Sequence, residues 1–254
     1  MKTFKHSLIL ILLSLCCITG VQAQTKVIAH RGFWKTESSA QNSITALQKA
    51  AEADVYGSEF DVQLTSDGVV VVNHDDAIHG IVIGNTPYEK LKNITISNGE
   101  KLPTLEDYLK AGKKLDVQLI LEIKPHKTKE IEDQAVETIV RMVKKYKLTR
   151  KVEYISFSLN ICEQLAKLTP KSEIAYLNGD ISPKELKSKG INGIDYHFNV
   201  LYKHPEWIEE AHNAKMKVNT WTVDNDKDMQ RLIDMKVDYL TTDEPLKAKE
   251  LTNK

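Results

Sequence analysis

The chain has 254 residues, 41% of them hydrophobic, with 35 basic residues against 35 acidic ones. That length suits one large α/β domain or two small ones, and the charge balance leaves no electrostatic footprint for nucleic acid. No low-complexity segment and no linker rich in Pro, Gly or Ser divides it, so one domain over residues 24–254 is the simpler expectation.

The first 23 residues read as a signal peptide. Lys2 and Lys5 precede an apolar core from Leu8 to Ile18, and Val21-Gln22-Ala23 offers a signal peptidase its site before Gln24. The apolar run is too short for a permanent spanning helix. An exported protein, periplasmic or secreted, with no stable membrane span is expected. The 35 basic residues less Lys2 and Lys5 leave 33 against 35 acidic ones. Cys16 and Cys17 belong to the signal core; only Cys162 remains, so no internal disulfide is expected despite the oxidising destination. Its Ile-Cys-x-x-Leu setting reads as core packing.

Short apolar runs then alternate with amphipathic stretches. Lys26–His30 reads as a strand and Ser43–Ala53 as a helix. Gly57–Leu64 and Val69–His74 read as a hairpin about Asp67-Gly68, a two-residue turn signal. In that register Ser66 pairs with Val69, and Asp61 faces His74 directly, with Glu59 on the same face. Asp116–Ile123 reads as a strand, and Lys129–Tyr146 as a long helix with acidic residues early and lysines late. Further strands are expected at Lys151–Phe157, Glu173–Leu177, Gly193–His197, Lys217–Val223 and Val237–Thr242. Helices are expected near Ile161–Leu168, Pro183–Lys189, Pro205–Ala214 and Lys227–Met235. Apart from the hairpin's return strand, this makes eight strands with intervening helices, which predicts an α/β fold of the (β/α)8 TIM-barrel type. A doubly wound open sheet is the runner-up, but no Gly-rich nucleotide loop follows the first strand. Residues 76–105, with Gly80, Gly84, Pro87, Gly99 and Pro103, break the alternation. They are expected to form a small insertion after the second-strand hairpin, over the barrel mouth and without an independent core.

In such a barrel, functional groups sit at the C-terminal ends of strands. His30-Arg31-Gly32 ends the first, Glu59 and Asp61 lie on the second with His74 on its return, and Glu122-Ile123-Lys124 ends the third. Asn219, Trp221 and Asp224 follow on the seventh, and Thr241-Thr242-Asp243 on the eighth. Three carboxylates, Glu59, Asp61 and Glu122, suit a hard divalent cation, Mg²⁺ or Ca²⁺. His30 and His74 beside it offer an acid and a base near neutral pH. Arg31 and Lys124 add fixed positive charge for an anionic substrate. Together these describe metal-assisted phosphoryl transfer. Read alone, Glu122-x-Lys124 is an ion pair closing the barrel interior, and Trp221 is as readily a packing residue as a ligand wall. His79, His197, His204 and His212 lack comparable context and read as structural or surface residues.

These residues resemble the glycerophosphodiester phosphodiesterase family. The resemblance rests on His30-Arg31-Gly32, Glu59-x-Asp61, the Asp67-Gly68 turn with Val71-Val72-Asn73-His74-Asp75, and Leu121-Glu122-Ile123-Lys124. It continues through Pro103-Thr104-Leu105, Trp221-Thr222-Val223-Asp224 and Val237-Asp238-x-x-x-Thr242-Asp243. It implies a TIM barrel in which Glu59, Asp61 and Glu122 bind a divalent metal and His30 and His74 form the acid–base pair. Arg31 and Lys124 are then the phosphate contacts, and the substrate is a small glycerophosphodiester cleaved to glycerol 3-phosphate and an alcohol. One departure stands out: where the family has Pro-Glu-Asn-Thr, this chain has Ala40-Gln41-Asn42-Ser43, with Glu37 nearby as a stand-in for the missing acid. Two rival readings remain. One is a phospholipase-like barrel cleaving intact lipid head groups, with Ile78, Ile81, Val82 and Ile83 as an apolar rim. The other is a catalytically silent phosphodiester-binding protein.

Overall fold

The computed structural model describes residues 24–253, so the signal-peptide reading of residues 1–23 lies outside them. The elements in chain order are β1 (Lys26–Ala29), α1 (Ile44–Glu52), β2 (Gly57–Leu64), β3 (Val70–Val72), β4 (Ala77–Ile78) and β5 (Ile81–Val82). Then follow α2 (Leu105–Gly112), β6 (Gln118–Ile123), α3 (Lys129–Tyr146), β7 (Val152–Ser156), α4 (Leu159–Leu168), β8 (Ile174–Tyr176) and α5 (Pro183–Ser188). The chain closes with β9 (Gly193–His197), α6 (Phe198–Lys203), α7 (Glu206–Asn213), β10 (Lys217–Trp221), α8 (Asp226–Asp234), β11 (Tyr239–Thr242) and α9 (Pro245–Thr252).

Eight strands run parallel in the order β10-β9-β8-β7-β6-β2-β1-β11, with β3 antiparallel on β2. The ends of this order meet. Asp238 N–H donates to the Val218 carbonyl at 2.9 Å, and Val223 N–H to that of Thr241 at 3.1 Å. The result is a nearly closed (β/α)8 barrel. Its strands alternate in the manner the period-two rule requires. The outer faces pack into a continuous apolar layer under the helices, while the inner faces hold a smaller cluster built on Ile28, Ile120, Ile155, Leu177 and Tyr239. Cys162 is fully buried in α4, where burial pushes its thiol up. It is a packing residue.

Local signals explain most boundaries. Ser43 caps α1 by accepting from Ala46 N–H, and Thr128 caps α3, whose first turn carries Glu130 and Glu132 and whose last turn carries Lys144 and Lys145. Three helices were not expected: α2, α6 and α9. Of these α2 has a clear local signature, a reciprocal cap between Thr104 and Asp107 directly after Pro103.

The β2–β3 hairpin departs from expectation by one residue. The loop is Ser66-Asp67-Gly68, with Thr65 N–H donating to the Val69 carbonyl and Gly68 at φ +83°. A two-residue turn of the expected kind needs left-handed backbone at Asp67 as well. Instead the Asp67 carboxylate accepts from the Thr65 hydroxyl at 2.6 Å and from Tyr88 N–H at 2.9 Å, and only Gly68 is left-handed. Val62 therefore pairs with Val72, and Asn73, not His74, stands opposite Asp61.

Segment 76–105 holds the short β4–β5 hairpin, two single 3₁₀ turns and a small apolar cluster of Ile78, Ile83, Leu91 and Leu102, built against Val71 of β3. It ties down the first loop from the side: the Glu100 carboxylate accepts from Ile44 and Thr45 N–H at the start of α1, at 3.0 and 3.2 Å.

Candidate active site

The eight residues singled out from sequence converge at the C-terminal end of the barrel. Glu59 and Asp61 project inward from β2, and the parallel pairing of β2 with β6 sets Asp61 beside Glu122. Glu59, Asp61 and Glu122 are 3%, 1% and 7% exposed, and an oxygen from each lies within 4.8 Å of the others. A cleft of about 480 Å³ opens above them, lined by His30, Arg31, Glu59, His74, Glu122 and Trp221 among others.

Each carboxylate is held differently. Glu59 Oε2 accepts from Arg31 N–H at 2.7 Å, while its Oε1 is buried with no donor. Asp61 and Asn42 exchange two bonds: Asn42 Nδ2 donates to Asp61 Oδ2 at 2.9 Å, and Asp61 N–H donates back to Asn42 Oδ1 at 3.0 Å. Lys124 Nζ lies 2.8 Å from Glu122 Oε1 and 3.4 Å from Asp61 Oδ1. Burial, then Asp61 and Glu122, push the Glu59 carboxyl well above the usual carboxylate range. Burial and Asp61 push that of Glu122 up to about 7. Burial acts the same way on Asp61, but Lys124, His74, Asn42 and Arg31 outweigh it and hold that carboxyl below its ordinary value. Three buried carboxylates against two nearby side-chain cations leave a site short of positive charge. The unpartnered Glu59 oxygen and the oxygen spacing fit a hard divalent cation.

The first loop is shaped by backbone conformation. Arg31 (φ +54°) and Gly32 (φ +76°) turn the chain sharply off β1. A side chain at Gly32 would meet Ala46 Cβ at 2.6 Å, so only glycine fits between this turn and α1. Asn42 is also left-handed, at φ +63°, a conformation asparagine tolerates. Arg31 Nη1 donates to Gln41 Oε1 at 2.7 Å. Gln41 itself therefore serves the guanidinium, whereas Glu37 is exposed and does not take that place.

The histidines reach the cleft by different routes. His30 follows β1, and Ala29 pairs with Thr242 of β11, so His30 comes beside Asp243. Its Nδ1 lies 2.8 Å from Asp243 Oδ1. Asp243 also accepts from Trp34 Nε1 at 3.0 Å, and its own N–H donates to Asp224 Oδ1 at 2.8 Å. Burial opposes it, but the bonds from His30 and Trp34 hold the Asp243 carboxyl below its usual range. His74 arrives one residue past the end of the β3 pairing. Gln63 Nε2 donates to the carbonyls of Asn73, His74 and Asp75, folding the chain over the strand end so that His74 lines the cleft. Burial pushes its imidazole below the ordinary value, against the pull of Asp61 and Asp75.

Trp221 is both packing residue and wall. Its indole N–H donates to the Asp195 carbonyl at 2.8 Å, and its ring stands edge-on to Phe157, 5.5 Å between centroids. His197 packs edge-on against the same indole at 5.3 Å. Sequence reasoning missed Asp243 as the partner of His30, Gln63 as the clamp on His74, and Phe157 and Asp195 as cleft residues. Only Asp243 carried a signal, its place beside Thr242 at a strand end.

The family model described as the glycerophosphoryl diester phosphodiesterase family matches residues 30–247. The chain belongs to that family. It is 51% identical to a crystallographically solved glycerophosphodiester phosphodiesterase from Parabacteroides distasonis, with a TM-score of 0.90, over 91% of this chain and 98% of that one. It is 29% identical to the glycerophosphodiester phosphodiesterase of Caldanaerobacter subterraneus subsp. tengcongensis, over 87% of this chain and 95% of the relative. An Oleispira antarctica phosphodiesterase solved with its product sn-glycerol-3-phosphate shares the fold, with a TM-score of 0.79 at 22% identity over 91% of this chain and 98% of that one. As a member of the family the chain is an enzyme, a phosphoric diester hydrolase. No helix among the described residues is long and apolar enough to cross a membrane.

Proposed function

We propose that this enzyme hydrolyses small glycerophosphodiesters to glycerol 3-phosphate and an alcohol, with Glu59, Asp61 and Glu122 holding one Mg²⁺ or Ca²⁺. The observation that carries this reading is the buried carboxylate triad on a cleft that two histidines also line. A divalent ion held there supplies positive charge against the phosphate and the charge that gathers on it. Arg31 and Lys124 add fixed positive charge on the same side. One histidine takes the proton of the glycerol hydroxyl next to the phosphate, and that oxygen bonds to phosphorus. The P–O bond to the alcohol breaks, and the other histidine gives the departing oxygen its proton. Water then opens the cyclic phosphate with the two roles exchanged. Asp243 orients His30, Gln63 fixes the backbone of His74, and Trp221 with Phe157 bounds the substrate's carbon skeleton.

A turnover panel from glycerophosphocholine to glycerophosphoinositol, each with and without added metal, tests the reading. Glycerol 3-phosphate should appear from at least one diester when metal is present; none from any of them refutes it. A phospholipase-like role has less to rest on. Of the four apolar residues in its suggested rim, Ile78 and Ile83 are buried in the insertion's own cluster, which leaves only Ile81 and Val82 exposed.

Export remains a proposal carried by Lys2, Lys5, the Leu8–Ile18 core and Val21-Gln22-Ala23. Mass spectrometry of the mature protein should find Gln24 first; an intact residue 1 would oppose it.

A further inference from the structure

One carboxyl on the cleft has no part in the chemistry above. Asp195 sits on the inner face of β9, between Gly193 and His197, and is 1% exposed. It lies outside the close carboxylate triad, yet lines the same cleft as His30, His74, Glu59 and Glu122. Its Oδ1 has no hydrogen-bond partner. Such an atom is costly to bury unless something pairs with it.

The position is built rather than incidental. A side chain at Gly193 would meet Ala175 Cβ at 2.9 Å, so no larger residue fits two positions before Asp195 on this strand. Above it, the Trp221 indole donates to the Asp195 carbonyl and fixes that backbone. On one side the cleft wall is Ile155, Phe157 and Leu177, which offers a hydroxyl no side-chain partner.

We propose that Asp195 accepts a hydrogen bond from the free terminal hydroxyl of the substrate's glycerol, so that the site selects glycerol over diols lacking that group. This rests on the glycerophosphodiester reading. The departing alcohol varies in size and belongs at the open end of the cleft. Glycerol is the constant part and fits the buried end. Its hydroxyl beside the phosphate is engaged by a histidine, which leaves the terminal hydroxyl as the one donor in need of an acceptor. A site that hydrogen-bonds a substrate hydroxyl rejects the analogue without it, because its own buried group then stays unpaired.

The test compares kcat/KM for the best diester of the panel with that for its 2-hydroxypropyl analogue. The analogue has a methyl group in place of the terminal CH₂OH and keeps both the attacking hydroxyl and the departing alcohol. Wild-type enzyme should prefer the glycerol diester by roughly 10–100-fold. Asp195→Ala should bring that ratio close to one by slowing the glycerol diester alone, and Asp195→Asn, which keeps an acceptor oxygen, should retain most of the preference. Equal kcat/KM for both diesters in the wild type overturns the role of Asp195 alone, and that measurement needs no variant to fold. An unchanged ratio in Asp195→Ala overturns it too. Wild-type enzyme that cleaves no glycerophosphodiester overturns the underlying reading, and the role of Asp195 with it.

Discussion

His30 and Asp243, 213 residues apart, meet at 2.8 Å because the last strand of the barrel closes on the first. The carboxylate faces Nδ1, which leaves Nε2 as the nitrogen available to substrate. Asp243→Asn keeps the shape and removes the charge. Turnover should fall roughly 10-fold or more, with the pH–rate profile displaced and the affinity for Mg²⁺ or Ca²⁺ little changed. An unmoved profile would leave Asp243 a purely structural residue.

Replacing His30 or His74 with Ala should lower kcat by roughly 10²–10⁴ and leave the fold intact. Both side chains are partly exposed, 19% and 37%, so neither carries much of the core. The two should separate on a diester with a good leaving group such as p-nitrophenol. The variant that has lost the acid should recover much of its rate, and the variant that has lost the base should not. Equal recovery in both would contradict a division of labour.

Asn42 holds Asp61 through two bonds while its own backbone is left-handed. Asn42→Gly preserves that backbone and removes only the amide. Metal affinity, measured by calorimetric titration, should weaken roughly 10–100-fold, as expected when a ligand's supporting hydrogen bond is lost. Unaltered affinity would mean that Asp61 needs no such support.

The pH dependence of metal stabilisation follows from the raised carboxyls. In chelator-treated protein, Glu59 and Glu122 bind more protons folded than unfolded, and for Glu122 this holds between its unfolded value and about 7. Their contribution to stability is therefore lost as pH rises through that window. A bound cation replaces those protons. The rise in Tm on adding Mg²⁺ or Ca²⁺ should grow from pH 5 to pH 7.5, with protons released on binding below about pH 7. A rise in Tm that does not vary with pH would contradict the picture of protons and metal competing for the same carboxylates.

Much of this was legible in the sequence, because two periodicities carry it. Period two put Glu59 and Asp61 on one inner face, and the spacing of strands and helices gave the barrel and the placement of Glu122. Features decided by distant partners were not legible. The hairpin register depends on Asp67 bonding to Tyr88 N–H, 21 residues on, so the direct pairing of Asp61 with His74 failed. His74 reaches the cleft all the same, through the Gln63 clamp. The His30–Asp243 pair needed the closing neighbour of β1 to be known. The short helices α2, α6 and α9 were missed because six to eight residues offer too few turns for a helical period to stand out.

The central claim is that Glu59, Asp61 and Glu122 hold the divalent ion on which hydrolysis depends. Its most direct test is the release of glycerol 3-phosphate from the best diester by EDTA-treated, desalted enzyme, before and after adding Mg²⁺ or Ca²⁺. Turnover should be abolished by the chelator and restored by one of these ions in the wild type, but not in Glu59→Gln or Glu122→Gln. Full turnover after exhaustive chelation would contradict the account.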